Sequence, residues 1–135
     1  MIKEINSIKF TYKGIQEIDE KLIEKINNNW NELTKDSDFL HETEILEVTN
    51  IKEDNGNFEV ELKATTFSHY MYSKISEETN VNPMFSGAYV FTSDGYVVGC
   101  LEKFFENNVY SETVNLVGGT ADIKDIKKRY VFLWG

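Results

Sequence analysis

A clean alternation between residues 57 and 65 constrains this chain more than any other feature. Phe58, Val60, Leu62 and Ala64 are apolar, and Glu59, Glu61 and Lys63 between them are charged. Successive side chains of a strand point to opposite faces, so the pattern demands a sheet with one buried and one wet face. Just before it stands Asn55-Gly56, a pair that tolerates the positive φ angles of a type I′ turn. The run before the turn is also β-prone, so residues 43–67 read as a hairpin.

Residues 5–14 alternate too, with Ile8, Phe10 and Tyr12 on one face of a further strand. Ile15, Ile18, Leu22, Ile23, Ile26, Trp30 and Leu33 then recur at helical spacing, with Glu17, Asp19 and Glu20 enriching the first turns. That predicts one long N-terminal helix with its apolar stripe against the sheet. Residues 68–78 fit a strand or a short helix. The only proline, Pro83, marks a joint. Beyond it, residues 87–103 form a second hairpin around Asp94-Gly95, whose nearly continuous apolar flanks predict a buried pair. A further strand in "ETVNLVGG" ends at Gly118-Gly119, and "RYVFLWG" reads as a strand or a hydrophobic plug. The fold class expected is α+β: mostly antiparallel sheet with one long N-terminal helix packed on it.

The chain has 135 residues, 41% hydrophobic and 13% aromatic, enough for a real core. Its formal net charge of -9 repels a nucleic-acid backbone and an anionic membrane surface. Arg129 is the only arginine among 14 basic residues, so bidentate phosphate recognition has one side chain at most. A lone cysteine, Cys100, and a charged N-terminal stretch with no apolar signal core point to the cytoplasm.

A hairpin, a strand and then a double glycine, as in "GAYVFTSDGYVVGCLEK…ETVNLVGGTAD" over residues 84–125, resembles the first part of a Nudix hydrolase domain. "KFTYKG", a hairpin and "ATTFSHYMYSK" are similar to the N-terminal extension of Nudix proteins that cleave nucleoside-diphosphate sugars. The resemblance implies an extension over 1–82 and a partial Nudix-like sheet over 83–135. It also implies a nucleoside-diphosphate ligand held near Gly118, Gly119 and Lys103, and magnesium on Asp122 and Asp125. With Gly119 as the motif glycine, Asp125 takes the first acidic position, but the Arg-Glu pair of the signature falls at Leu133 and Trp134. The stretch "IKKRYVFLWG" holds no acidic residue. The resemblance therefore implies a hydrolase relative without its catalytic glutamates, and no catalytic residue is assigned. The alternative is a non-catalytic binding or oligomerisation module, or a truncated remnant.

The remaining chemistry-bearing residues have plainer readings. His41 and His69 lack zinc-site spacing and suit capping or core-edge positions. Trp30, Tyr70 and Tyr72 suit a core, and Cys100, flanked by Val98 and Leu101, suits packing. An unfinished sheet leaves edge groups and apolar faces open, which predicts a homodimer.

Overall fold

A computed structural model describes residues 5–106, 109–115 and 117–127. The chain divides into two compact units, one running to Met84 and resuming at Ala121, the other spanning Phe85–Thr120.

The first unit is built on the predicted hairpin. Strands β2 (Glu44–Asp54) and β3 (Asn57–Thr66) pair antiparallel through a turn in which Asn55 and Gly56 have φ of 48° and 79°. Strand β1 (Ser7–Ile15) lies on the other side of β3, giving the order β1-β3-β2. Its start is fixed by Asn6, whose backbone N–H donates to Gly56 O (2.8 Å) and whose side chain donates to Asn55 O (2.9 Å). One face carries the core: Leu46, Val60, Leu62 and Ala64 are buried with Ala121, and Phe10, Val48 and Met84 pack against them. Ile123 and Ile126 of a C-terminal helical turn (Ile123–Lys127) join that packing.

Helix α1 (Glu20–Thr34) begins where the Asp19 carboxylate accepts the Lys21 N–H at 2.9 Å. It packs chiefly on α2 (Phe67–Ser73), with Trp30 edge-on to Phe67 at 5.9 Å. Thus residues 68–73 are helical, entered through Thr66 as the cap.

The expected architecture is corrected in several respects. Among the described residues strands dominate, and they divide into four small separate sheets rather than one mostly antiparallel sheet followed by a partial Nudix-like one. β1 runs parallel to β3, so even the largest sheet is mixed. The long N-terminal helix is not borne out. Helix forms over 15 residues only, because the chain before it is committed to the sheet: Ile15 pairs with Ala64, and Gln16 N–H donates to Ala64 O at 2.8 Å. Of the predicted apolar stripe only Ile26 is buried.

At the outer edge of β2, Leu46 N–H donates to Ala121 O (2.9 Å), Met84 N–H donates to Leu46 O (2.8 Å), and Ala121 N–H donates to Met84 O (2.9 Å). The chain therefore leaves the first unit and re-enters it at two neighbouring points of one backbone network.

The second unit is a set of paired strands. β4 (Phe85–Ala88) pairs with β9 (Val117–Thr120), β5 (Val90–Phe91) with β6 (Val97–Val98), and β7 (Cys100–Glu106) with β8 (Val109–Asn115), all antiparallel. Asp94-Gly95 does lie in the turn of the β5–β6 hairpin, where Thr92 N–H donates to Tyr96 O at 2.9 Å and Gly95 has φ of 89°. The predicted burial of its flanks fails: Tyr89, Val90, Phe91, Tyr96, Val97 and Val98 are all exposed. Two strands alone have no second layer to cover them. The stretch "RYVFLWG" lies outside the described residues.

Candidate functional site

Gly118 and Gly119 form neither a turn nor a phosphate loop. They sit inside β9, with Gly87 opposite Gly118 and Ser86 opposite Gly119. A Cβ at Gly118 would lie 2.2 Å from Ser86 O and 2.8 Å from Gly87 Cα, so close strand approach is what requires glycine there. At Gly119 a Cβ would meet nothing.

The other predicted site residues fall on different elements. Lys103 lies within β7, and its Nζ is 3.4 Å from Glu112 Oε1 on β8. Asp122 belongs to the first unit, where it bridges to Ile45 and its Oδ1 accepts the Lys124 N–H at 2.9 Å at the start of the C-terminal helical turn. Asp125 is the third residue of that turn. The glycines and Lys103 thus occupy two different sheets of the second unit, and both aspartates belong to the first. Magnesium wants an octahedral set of oxygens. Among the described residues no three His, Cys, Asp or Glu side chains gather as such a set, and Asp122 already spends an oxygen on helix capping. The Asp125 side chain lies outside the described residues.

The best-organised polar cluster was not predicted as a site. His69 is buried in α2, with Nδ1 2.7 Å from Thr65 Oγ1 and Nε2 2.8 Å from Thr79 Oγ1. Around it, Thr66 Oγ1 accepts the His69 N–H, and Glu42 Oε1 accepts the Ser68 N–H. Burial holds the imidazole below its ordinary pKa, so it stays neutral, donating to one hydroxyl and accepting from the other. A hydroxyl held by an imidazole is the geometry of an activated nucleophile. Here Thr65 borders a cavity of about 50 Å³, room for little more than a water. The cluster braces β3, α2 and the segment at Thr79, and the core-edge reading of His69 describes it.

No family model, curated protein or solved structure matches the chain.

Three further features lie outside that cluster. A shallow groove of about 410 Å³ lies beside the β2 bulge at Thr49, lined by Val48, Thr49, Asn50, Ile51, Asn82 and Pro83. It is large enough for a small ligand, but no ionisable side chain lines it. Cys100, expected to pack, is exposed. The β5–β6 hairpin is apolar on both faces. Cross-strand pairing places Phe91 with Val97 on one side and Val90 with Val98 on the other. Tyr89 stacks on Phe91 with ring centroids 6.5 Å apart and planes 17° off parallel. Sequence reasoning singled out this hairpin from its apolar flanks but assigned it to a core.

Proposed function

We propose that this chain is a non-catalytic association module that works by having its Phe85–Thr120 unit covered by another protein surface. The observation that carries the reading is the hairpin of Val90–Phe91 and Val97–Val98, exposed and apolar on both faces. Contiguous exposed apolar surface of this kind marks interaction sites. The cytoplasm is the compartment we assign, on the lone cysteine. Among the described residues no helix is long and apolar enough to cross a membrane.

A photo-activated cross-linker placed at Phe91 tests the reading in extract of cells that make the protein. A defined cross-linked product is expected; none would overturn it. The hydrolase relationship keeps no observation in its favour, since Gly118 serves strand packing and Asp122 serves a helix cap. A thermal melt with magnesium and a panel of nucleoside diphosphates should leave the midpoint in place, because only a ligand bound to the folded state raises it. A midpoint raised by one nucleotide and restored to baseline by Asp122→Ala would reverse that conclusion.

A further inference from the structure

We infer that the outer edge of β1 receives an extended segment of another protein in which acidic and apolar residues alternate. This edge belongs to the first unit, so the inference does not rest on the hairpin of the second.

Topology leaves the edge open. β1 ends the order β1-β3-β2, and among the described residues no strand pairs with its outer side. The opposite edge of the sheet is taken: the Leu46 and Val48 N–H groups of β2 donate to Ala121 O and Asn82 O at 2.9 and 2.8 Å, and Met84 N–H donates to Leu46 O. Along β1, alternate backbone N–H and C=O groups turn away from β3. Such a row is a template for one more strand. The regular register with β3 runs from Ser7 to Tyr12, which sets the length of the template.

The inner edge of β1 shows what its side chains accept. Ile8, Phe10 and Tyr12 lie beside Phe58, Val60 and Leu62 on one face, and Lys9 and Thr11 lie beside Glu59 and Glu61 on the other. Side chains stand above and below a sheet, so they meet a neighbour on either edge alike. The same groups remain accessible to a second neighbour. Ile8 is 48% and Tyr12 37% exposed. Lys9 is exposed and joins no ion pair among the described residues, and the Lys13 side chain, 3.7 Å from Glu61, keeps 48% of its surface in solvent.

Charge selects the occupant. β1 carries two lysines and no carboxylate, in a protein of net charge -9. Across the wet face the sign alternates from strand to strand: Lys52 of β2 stands opposite Glu59 of β3, and Glu59 opposite Lys9 of β1. A further strand continues that alternation with an acidic residue beside Lys9, and like charges there would repel. A second copy joined β1 to β1 would set lysine-bearing strands side by side with no carboxylate between them. The lysines thus guard the edge against neutral self-pairing and against basic strands, and admit acidic ones. Backbone hydrogen bonds supply the affinity of such an added strand and the alternate side chains its specificity.

Nuclear magnetic resonance of the isotope-labelled full-length chain, titrated with a blocked peptide of the sequence of residues 57–62, "NFEVEL", is the test. Saturable shifts of β1 amides, with slowed hydrogen exchange there, are expected, and sodium chloride should weaken them. Lys9→Glu with Lys13→Glu should weaken binding by about tenfold or more. Lys9→Gln with Lys13→Gln should weaken it less, and circular dichroism shows that each variant keeps the fold. Two altered peptides separate the causes. N-methylation of alternate backbone nitrogens removes the edge hydrogen bonds, and lysine in place of both glutamates reverses the charge; neither peptide should bind. No shift in β1 at millimolar peptide, shifts confined to other elements, or binding that survives in either altered peptide or in both lysine variants would overturn the inference. The cross-linker at Phe91 reads a different surface, so either result can fail alone.

Discussion

Glu47 and His69 are both buried, and their ionisations act on the fold with opposite sign. Glu47 is 4% exposed, and one carboxylate oxygen has no hydrogen-bond partner among the described residues. Burial raises its pKa, against the pull of the Asn82 N–H and the Lys63 ammonium. A raised carboxylate binds its proton more tightly in the fold than in the unfolded chain. Its charge is therefore a cost at neutral pH, relieved as pH falls through the folded pKa and fully relieved below the ordinary carboxyl value of 4.5. His69 runs the other way, because burial lowers its pKa below 6.5. Below 6.5 the unfolded chain takes the proton first, and stability is lost as pH falls toward the folded pKa. Glu47→Gln should therefore stabilise the protein at pH 7 by about 1 kcal/mol and steepen its loss of stability on acidification. His69→Gln should cost about 1–3 kcal/mol at pH 7 and flatten that loss. Urea titrations at pH 7, 6 and 5 check both, and parallel pH profiles for wild type and variants would refute the assignment. The burial of Glu47 was not legible in the chain, and for His69 the sequence indicated a capping or core-edge place without its partners. Glu47 is covered where Pro83 bridges to it, and His69 is held by Thr65 and Thr79, contacts that no local pattern encodes.

At the scale of elements, the central hairpin was the most legible part because two local signals agree there. Alternation assigned the core face of β3, and Asn55-Gly56 supplied a turn with both residues at positive φ. The turn also anchors β1, since Asn6 hydrogen-bonds to both turn carbonyls. A Cβ at Gly56 would approach Asn6 Nδ2 to 3.0 Å in a conformation that side chains rarely adopt. Gly56→Ala should therefore destabilise by about 1 kcal/mol or more, read as a lower urea midpoint. It should also speed hydrogen exchange at the start of β1. Unchanged exchange in β1 would show that the turn does not hold that strand. The long N-terminal helix was misread: Ile15 fits both a helical stripe and a strand, the hydrogen bond from Gln16 to Ala64 settles it as strand, and helix starts only at Glu20. For the double glycine, the residue type was informative and the role was not. What fixes Gly118 is the Ser86 carbonyl on a strand far away in sequence.

At the scale of the whole molecule, the two units draw their stability from different sources. The first has a buried cluster around Leu46, Val60, Leu62, Ala64 and Ala121, while Phe85–Thr120 exposes most of the large apolar side chains described for it. A two-stranded ribbon without a second layer is marginal in water, so the first unit should carry the cooperative transition by itself. Its two chain ends at the ribbon are already joined by the hydrogen bond from Ala121 N–H to Met84 O, the geometry that a tight turn closes. Replacing residues 85–120 with Asn-Gly should therefore leave a chain that melts cooperatively, with the near-ultraviolet signature of Trp30 against Phe67 retained. Closing the long excursion with a short turn also removes loop entropy, a gain of about 0.6 kcal/mol for each halving of loop length, so the midpoint should not fall. A shortened chain that melts without cooperativity would show that Leu46, Met84 and Ala121 hold their arrangement only while the ribbon is present. The association surface and the core would then be one folding unit rather than two.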